Sequence, residues 1–480
     1  MEISHYHNKT IVKKEFKDLY VNLVLTTKCN ANCDFCYERH NDDVMSKKTI
    51  KKAIDFFYET KPNQINFWLF GGEPTITPEQ TVYAIEVILE NYKKSDIKTY
   101  VGLFTNGLTV NKEILDSLLS ATFEGINTRI QVSYEGSCNN KRDKNNMVLR
   151  ENIKENIKNY VKAGIVTQVR STLSSDNFFD VEGMFNTFAW IIESGVSDYT
   201  IMPVIESVWD DESIKRWDSL FGKIKAYMKI NRPTTFSNFD LRHKFVKNTP
   251  GCGAGNNFFS VDLNGDVFIC HKVGSYSTMY QDKYKIGSIY TDINIIEKRP
   301  ALSKCVECKI SNCSQCFITN YFMLNDEEKI PETGYCEVRN VIWGHYLDYC
   351  KYLVDNNLML KLNEDEETVI SSLLLMGAFV DLTFPDIYVS YSDYRILVYS
   401  MSNDIVTKIA NNLELEKFLP LSLASGAEFE DNLGKIFLFI EESLLYKYNE
   451  KYNAKLVIGS YVYTERIIRI LDLLEILYGK

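Results

Sequence analysis

Three cysteines share one short stretch, Lys28-Cys29-Asn30-Ala31-Asn32-Cys33-Asp34-Phe35-Cys36-Tyr37. The spacing is C-x-x-x-C-x-x-C, and three thiolates on one tight loop can hold three corners of a [4Fe–4S] cube. No fourth cysteine is nearby in the sequence, so one iron is left open to a ligand. That suits chemistry at the iron better than electron storage alone. Zinc is the competing reading, but it normally wants four closed ligands. His40 could be the fourth, but that would leave the rest of the pattern unexplained.

A second cysteine field lies far downstream: Cys252, Cys270, Cys305, Cys308, Cys313, Cys316 and Cys336, with Gly265 ahead of Cys270. These seven thiolates are too many for one cluster and one short of the eight that two fully ligated [4Fe–4S] clusters need. A zinc ribbon of Cys305, Cys308, Cys313 and Cys316 is allowed by spacing alone. It leaves Cys252, Cys270 and Cys336 without a role. Cys138 and Cys350 remain, and isolated thiols are commonly buried small apolar groups. Cys138 follows a strand closely, so it is also a candidate missing ligand or active-site thiol.

These residues must be positioned by the elements between them. Short β-rich runs fall at Tyr20–Thr26, Ile65–Phe70, Thr99–Phe104, Thr128–Tyr134, Val166–Leu173 and Tyr199–Val204. Amphipathic helical stretches separate them: Lys47–Tyr58, Pro78–Tyr92, Lys112–Ser120, Leu149–Ala163 and Phe178–Ser194. This alternation predicts an α/β fold with a parallel sheet. Six strands fall short of a closed eight-stranded barrel, so residues 1–205 are expected to form a partial (β/α)6 TIM-like barrel. A linker region, 206–250, contains a helical Asp211–Lys229. A small cysteine-rich iron–sulfur domain is expected at 251–340, held by metal rather than a large core, and a mostly helical extension of unknown role at 341–480. In that extension Trp343–Val354, Glu367–Leu374, Leu433–Tyr448 and Thr464–Leu477 have helical spacing, and Asp386–Val398 is β-like.

In parallel βα architectures chemistry sits at the C-terminal strand ends. The Cys29 loop directly follows the first strand. The second strand ends in Gly71-Gly72-Glu73-Pro74, the third in Thr105-Asn106-Gly107 and the fourth in Ser133-Tyr134-Glu135-Gly136, while Arg170 lies on the fifth. Two adjacent glycines let the backbone approach a ligand closely. Alone, such a tetrapeptide is an ordinary turn, and Arg170 alone is as well explained by a structural salt bridge.

The C-x-x-x-C-x-aromatic-C loop after the first strand resembles that of the radical S-adenosylmethionine (SAM) enzymes, over roughly residues 20–205. Gly71–Pro74 is similar to that family's GGEP motif, Thr105–Gly107 to its TNG segment and Ser133–Gly136 to its S-[LY]-[DE]-G segment. The resemblance implies that SAM chelates the open iron of the Cys29, Cys33, Cys36 cluster and is cleaved to a 5′-deoxyadenosyl radical, which takes a hydrogen atom from the substrate. It implies that Gly71, Gly72, Glu73 and Pro74 receive the methionyl amine. Asn106, Ser133 and Arg170 are further candidate SAM contacts.

The second field resembles the SPASM domain, the auxiliary-cluster extension of peptide-modifying radical SAM enzymes. Its crossed pattern implies one cluster on Cys252, Cys270 and Cys316 and another on Cys305, Cys308, Cys313 and Cys336, three [4Fe–4S] clusters in all. Here the gaps between Cys308, Cys313 and Cys316 are each a residue tighter than the family's commonest form. The implied function is maturation of a ribosomally made precursor peptide, ending in a thioether or carbon–carbon crosslink, with an electron donor such as flavodoxin or ferredoxin. Anaerobic sulfatase maturases share the architecture, but Cys270-His271-Lys272 lacks the acidic residue they typically carry there. A non-catalytic metal-binding scaffold is the rival from another class. Only 28 residues precede Cys29, too few for the complete leader-binding domain that some peptide maturases carry there.

Composition agrees with a globular enzyme. The chain has 480 residues, 45% hydrophobic and 25% charged, which excludes a disordered chain or a coiled-coil rod. Apolar runs such as Ile201–Ile205 are too short to cross a bilayer, and polar Met1–Asn8 is no signal peptide, so a cytoplasmic protein without a membrane partner is expected. A net charge of −10 without a basic tract disfavours nucleic acid.

Overall fold

A computed structural model describes residues 18–138, 147–241 and 253–296 almost without a break. Most of 302–356, Lys9, Thr10, Phe16, Leu358 and a few short strands between 378 and 437 complete it. The six expected strands are all present: β1 (Asp18–Thr26), β2 (Gln64–Gly71), β3 (Lys98–Thr105), β4 (Asn127–Ser133), β5 (Val166–Leu173) and β6 (Asp198–Pro203). They lie side by side in chain order, all parallel. The connections are α1 (Lys47–Glu59), α2 (Pro78–Tyr92), α3 (Lys112–Phe123), α4 (Met147–Lys162) and α5 (Val181–Glu193), with α6 (Asp211–Asn231) after β6. This is the α/β partial barrel that the alternation implied.

Local chemistry starts the helices where the sequence changes period. The side chains of Ser46, Asn111, Asp180 and Asp210 each accept a backbone N–H from the first turn of α1, α3, α5 and α6. Such caps replace hydrogen bonds that a helix start otherwise lacks. Helix α1 then buries Ile50, Ala53, Ile54 and Phe57 on one face. Leu19, Val21, Leu23, Val24 and Leu25 of β1 are all fully buried, as expected of a parallel strand covered on both sides.

The sheet does not stop at six strands. β7 (Phe258–Val261) runs parallel to β1, pairing Tyr20 with Phe258 and Leu23 with Val261. β8 (Asp266–Phe268) and β9 (Lys285–Ser288) continue it antiparallel. The cysteine-rich stretch thus enters the fold by extending the barrel sheet. The reason is its Phe-Phe-Ser-Val run: Phe259 is fully buried and its ring meets Phe16 at 6.1 Å and Phe57 at 5.9 Å. On the opposite face Phe258 stands 5.4 Å from Trp68.

By its contacts the chain forms two compact units, Met1–Asn238, Pro250–Cys308 and Ser314–Ile342 in one, Phe239–Thr249, Lys309–Cys313 and Trp343–Lys480 in the other. The first holds the nine-stranded sheet and α7 (Phe317–Leu324). Within the second, Tyr346 donates to the Leu241 carbonyl and Phe239 stacks on Tyr349. α8 (Tyr335–Asp355) contains the helix expected at Trp343–Val354. The β-like Asp386–Val398 resolves into a hairpin, Tyr388–Tyr391 with Tyr394–Val398, flanked by Ala378–Asp381 and Ile436–Phe437. Ile436–Phe437 corrects one expectation, because Leu433–Tyr448 read as helix. Its aromatic and β-branched run, Ile-Phe-Leu-Phe-Ile, cannot be assigned by periodicity alone. Glu367–Leu374 and Thr464–Leu477 lie outside the described residues, as does the rest of Leu433–Tyr448. Among the described residues no helix is long and apolar enough to cross a membrane.

If β7 is part of the barrel core, Phe259→Ala removes a buried ring beneath α1 and destabilises the protein by about 3–5 kcal/mol. Denaturant unfolding of the full chain measures this, and a loss under about 1 kcal/mol contradicts the packing.

Candidate active site

The cysteine loop leaves β1 and is fastened to the end of β2 by backbone alone. Gly72 N–H donates to the Thr26 carbonyl at 2.8 Å and Glu73 N–H to the Lys28 carbonyl at 2.7 Å. There is no room between the two segments for a side chain. A Cβ on Gly71 would sit 2.2 Å from the Thr26 oxygen, and one on Gly72 would sit 2.3 Å from the Lys28 oxygen. Gly71 also has φ +144°, which other residues rarely adopt. The close approach that these glycines permit is therefore made by the chain's own backbone. The far end of the loop returns to β1, where Thr27 N–H donates to the Asp43 carbonyl and Met45 N–H to that of Leu25.

Glu73 is fully buried and accepts four hydrogen bonds. Thr75 N–H (3.1 Å), Thr75 Oγ1 (2.7 Å) and Thr105 Oγ1 (2.8 Å) reach Oε1, and Asn106 N–H (2.6 Å) reaches Oε2. Burial pushes its carboxyl up and these donors oppose that. The carboxylate ties the end of β2 to the end of β3. Asn106 completes the tie: its Nδ2 donates to Asn30 Oδ1 at 2.8 Å and points at Cys29 Sγ at 3.9 Å. Pro74 is buried at the start of a short turn of helix, and its carbonyl accepts Thr81 Oγ1.

The three thiols of the loop lie close enough to perturb one another. Burial pushes Cys29 up to about 11 and Cys36 up to about 12, with neighbouring thiols and Glu38 adding to it. Cys29 Sγ accepts the Ala31 N–H at 3.4 Å, and Cys36 N–H donates to the Cys33 carbonyl. His40 Nε2 is 3.6 Å from Cys36 Sγ, a hydrogen-bond separation. Among the described residues no three His, Cys, Asp or Glu side chains converge on one point as a single metal ion needs. A cubane gives each thiolate its own iron, so its ligands stand apart. Buried, mutually repelling thiols on a hydrogen-bonded loop fit such a group, whose positive charge is what makes them thiolates.

Ser133, at the end of β4, is the register partner of Arg170 within β5. Arg170 Nε is buried without a hydrogen-bond partner among the described residues, and burial pushes the guanidinium down, with Asp198 opposing and Arg129 adding to the shift. Sequence reasoning passed over two residues that the fold brings here. Glu38 is 8% exposed, both its carboxylate oxygens lack a hydrogen-bond partner among the described residues, and burial pushes it up to about 8. A buried acceptor left this way marks a place where a bound group can supply the donor. His271 packs its ring on Phe70 (5.1 Å), Tyr37 (5.8 Å) and Phe258 (5.9 Å). Burial, with the charges of Lys272 and Arg170, pushes it down to about 3, so it is neutral. Only its place after Cys270 could have signalled this.

The segment after Cys270 pairs with the cysteine loop. Arg39 N–H donates to the Tyr276 carbonyl and Thr278 N–H to the Tyr37 carbonyl, both at 2.7 Å. Cys270, Cys316 and Cys336 are half-buried, as is Cys305, whereas Cys308 is exposed. Cys313 is half-buried and counted with the second unit, and Cys252 lies outside the described residues. Cys138 and Cys350 are buried, which supports the apolar reading of both.

With this geometry in hand, residues 23–186 match the family model of the radical SAM superfamily. The chain is 23% identical over 333 residues to the radical SAM cyclopropyl synthase TigE of Paramaledivibacter caminithermalis, covering 61% of this chain and 66% of that protein. It is 28% identical over 115 residues to an uncharacterized protein of Methanocaldococcus jannaschii, covering 24% of this chain and 37% of that one. The chain thus spans less than two thirds of either relative. Among solved structures, native anSMEcpe with bound AdoMet and the Cp18Cys peptide superposes with a TM-score of 0.54 at 14% identity, over 71% of this chain and 99% of that one. That likeness shows the fold.

Two glycine substitutions separate close docking from backbone freedom. Gly72→Ala has no space for its methyl group and is expected to cost about 1–3 kcal/mol. Gly344→Ala, in α8 with nothing near its Cβ, is expected to stabilise by up to about 1 kcal/mol. Thermal melts of both variants check the contrast, and equal effects would contradict it.

Proposed function

We propose that this chain, which carries a radical SAM domain over residues 23–186, is a peptide maturase that uses SAM and a [4Fe–4S] cluster on Cys29, Cys33 and Cys36. The observation that carries the reading is the three-cysteine loop locked by backbone onto Gly71–Glu73 at the C-terminal edge of a parallel sheet. When bound, the cluster and SAM supply a 5′-deoxyadenosyl radical that takes a hydrogen atom from the substrate. The chain's residues do the rest. Glu73 and Asn106 hold the strand ends and the loop in register. Ser133, Arg170 and Glu38 offer polar groups to SAM around the open iron, Arg170 as a carboxylate partner and Glu38 as an acceptor for the methionyl ammonium.

A peptide substrate is supported by the fold shared with a peptide-bound enzyme. The cyclopropyl synthase relative favours a new carbon–carbon bond over a thioether. Closing such a bond between two carbons removes one hydrogen atom, one proton and one electron, so the product is two hydrogens lighter. Auxiliary iron–sulfur clusters from the cysteines between 252 and 336 are the acceptor in this reading, and flavodoxin or ferredoxin the class of donor that starts the cycle.

Anaerobically reconstituted full-length protein is expected to hold about 12 iron atoms and to cleave SAM. Replacing Cys29, Cys33 and Cys36 together by Ala should remove about a third of the iron and all cleavage. Stoichiometric zinc with no iron–sulfur absorption in anaerobically purified protein sinks the reading.

Glu73→Gln keeps size and burial but presents an amide to donors that need an acceptor. An expected loss of about 1–3 kcal/mol in stability should accompany weaker SAM binding, with the cluster spectrum retained. Unchanged melting and unchanged SAM affinity would remove Glu73 from the site.

A further inference from the structure

Beside Cys270 the fold buries a cation that the mechanism above does not use. Lys272 Nζ forms an ion pair with Glu206 and stands 3.3 Å from Thr319 Oγ1, which itself donates to Glu206 at 2.7 Å. Thr319 is fully buried in the first turn of α7, whose N-cap is Cys316. Asn320 N–H donates back to the Cys316 carbonyl at 3.0 Å. The Lys272 carbonyl is held by Ser277 Oγ, on the segment that pairs with the cysteine loop. The ammonium is therefore fixed from both ends, between Cys270 on its own segment and Cys316 at the start of α7. Cys316, Glu206 and Cys270 are the groups of negative character that face it. Glu206 is held below the usual carboxylate range, burial opposing and Lys272 prevailing.

We propose that Lys272 is a positioning residue for the auxiliary site, a buried, ion-paired cation placed beside Cys270 and Cys316 that raises the reduction potential of the iron–sulfur cluster they ligate. This rests on the iron–sulfur reading given above. The physics is charge balance: an added electron makes a thiolate-ligated cluster more negative, and a nearby buried cation favours that state. Glu206 works in the opposite direction while it anchors the lysine. The pair thus sets how readily a cluster at this site takes up an electron released by bond formation. Sequence reading leaves Lys272 without a role, because its partners lie on three separate segments.

The test is an EPR-monitored redox titration of the reconstituted full chain, with the clusters assigned by losing each signal in Cys29→Ala and Cys270→Ala. In Lys272→Met the auxiliary cluster should be harder to reduce, by about tenfold in the reduced-to-oxidised ratio at fixed potential, or about 59 mV for one electron. Lys272→Arg should restore the wild-type midpoint. Glu206→Gln should shift the midpoint in the opposite direction to Lys272→Met, an outcome that general loosening of the fold does not produce. The Cys29 cluster should not move in any of these variants. If Lys272→Met does not fold, the sign of the Glu206→Gln shift decides. An assigned auxiliary cluster whose midpoint ignores both substitutions overturns the proposal and leaves the iron–sulfur reading intact. Absence of any Cys270-dependent cluster in wild type overturns both.

Discussion

The contact on which the rest depends is a pair of backbone hydrogen bonds between Thr26–Lys28 and Gly72–Glu73. They join the end of β1 to the end of β2 so closely that neither Gly71 nor Gly72 could carry a side chain. The cysteine loop begins at that junction, so its point of departure from the sheet is set by main-chain geometry, while Asn106 and His40 add side-chain contacts to the loop itself. Main-chain junctions have few degrees of freedom and resist small changes of sequence nearby. That is a sound foundation for a site whose ligands must stay within a fraction of an ångström of their working positions.

Around that junction the polar groups form a chain of donors and acceptors that crosses three strands. Glu73 takes donors from the turn after β2 and from Thr105 and Asn106 after β3, and Asn106 passes on to Asn30 inside the loop. A buried carboxylate with four donors rigidifies its surroundings, since each lost partner would leave a desolvated polar atom. The sequence motifs at successive strand ends are therefore one connected object. Among the described residues Arg170 Nε and the Glu38 carboxylate oxygens find no hydrogen-bond partner, unlike the fully bonded Glu73.

Much of this was legible from residue types. Period-two and period-3.6 runs located six strands and their helices, because a parallel sheet buries both faces and leaves little freedom in where strands begin. The cysteine spacing singled out the loop on which the proposed function rests. What the sequence did not show were contacts made across large separations. Nothing local in Phe258–Val261 says that it will lie against β1, and nothing in Glu38, His271 or Lys272 names partners that lie many residues away. The role of Gly71 and Gly72 was legible as close approach, but what approaches them was not: it is Thr26 and Lys28, visible only once β1 and β2 are paired. Ile436–Phe437, expected within a helix, pair as strand instead, since a short apolar run fits either period and its sheet partner decides.

The antiparallel bridge between Glu38 and Ser277 has a consequence for how such a chain could be divided. Residues on either side of it exchange backbone hydrogen bonds between the cysteine loop and the segment that follows Cys270. β7 likewise covers what would be an open edge of the sheet at β1. Excising everything after α6 would strip the barrel of an edge strand and the loop of its brace, exposing unpaired amides and Phe57. The barrel is therefore not a detachable module to which the second cysteine field was appended. Truncation libraries and domain-swapped chimaeras should place their junctions outside residues 18–296, and exchange of the second cysteine field between relatives should carry its matching cysteine loop with it.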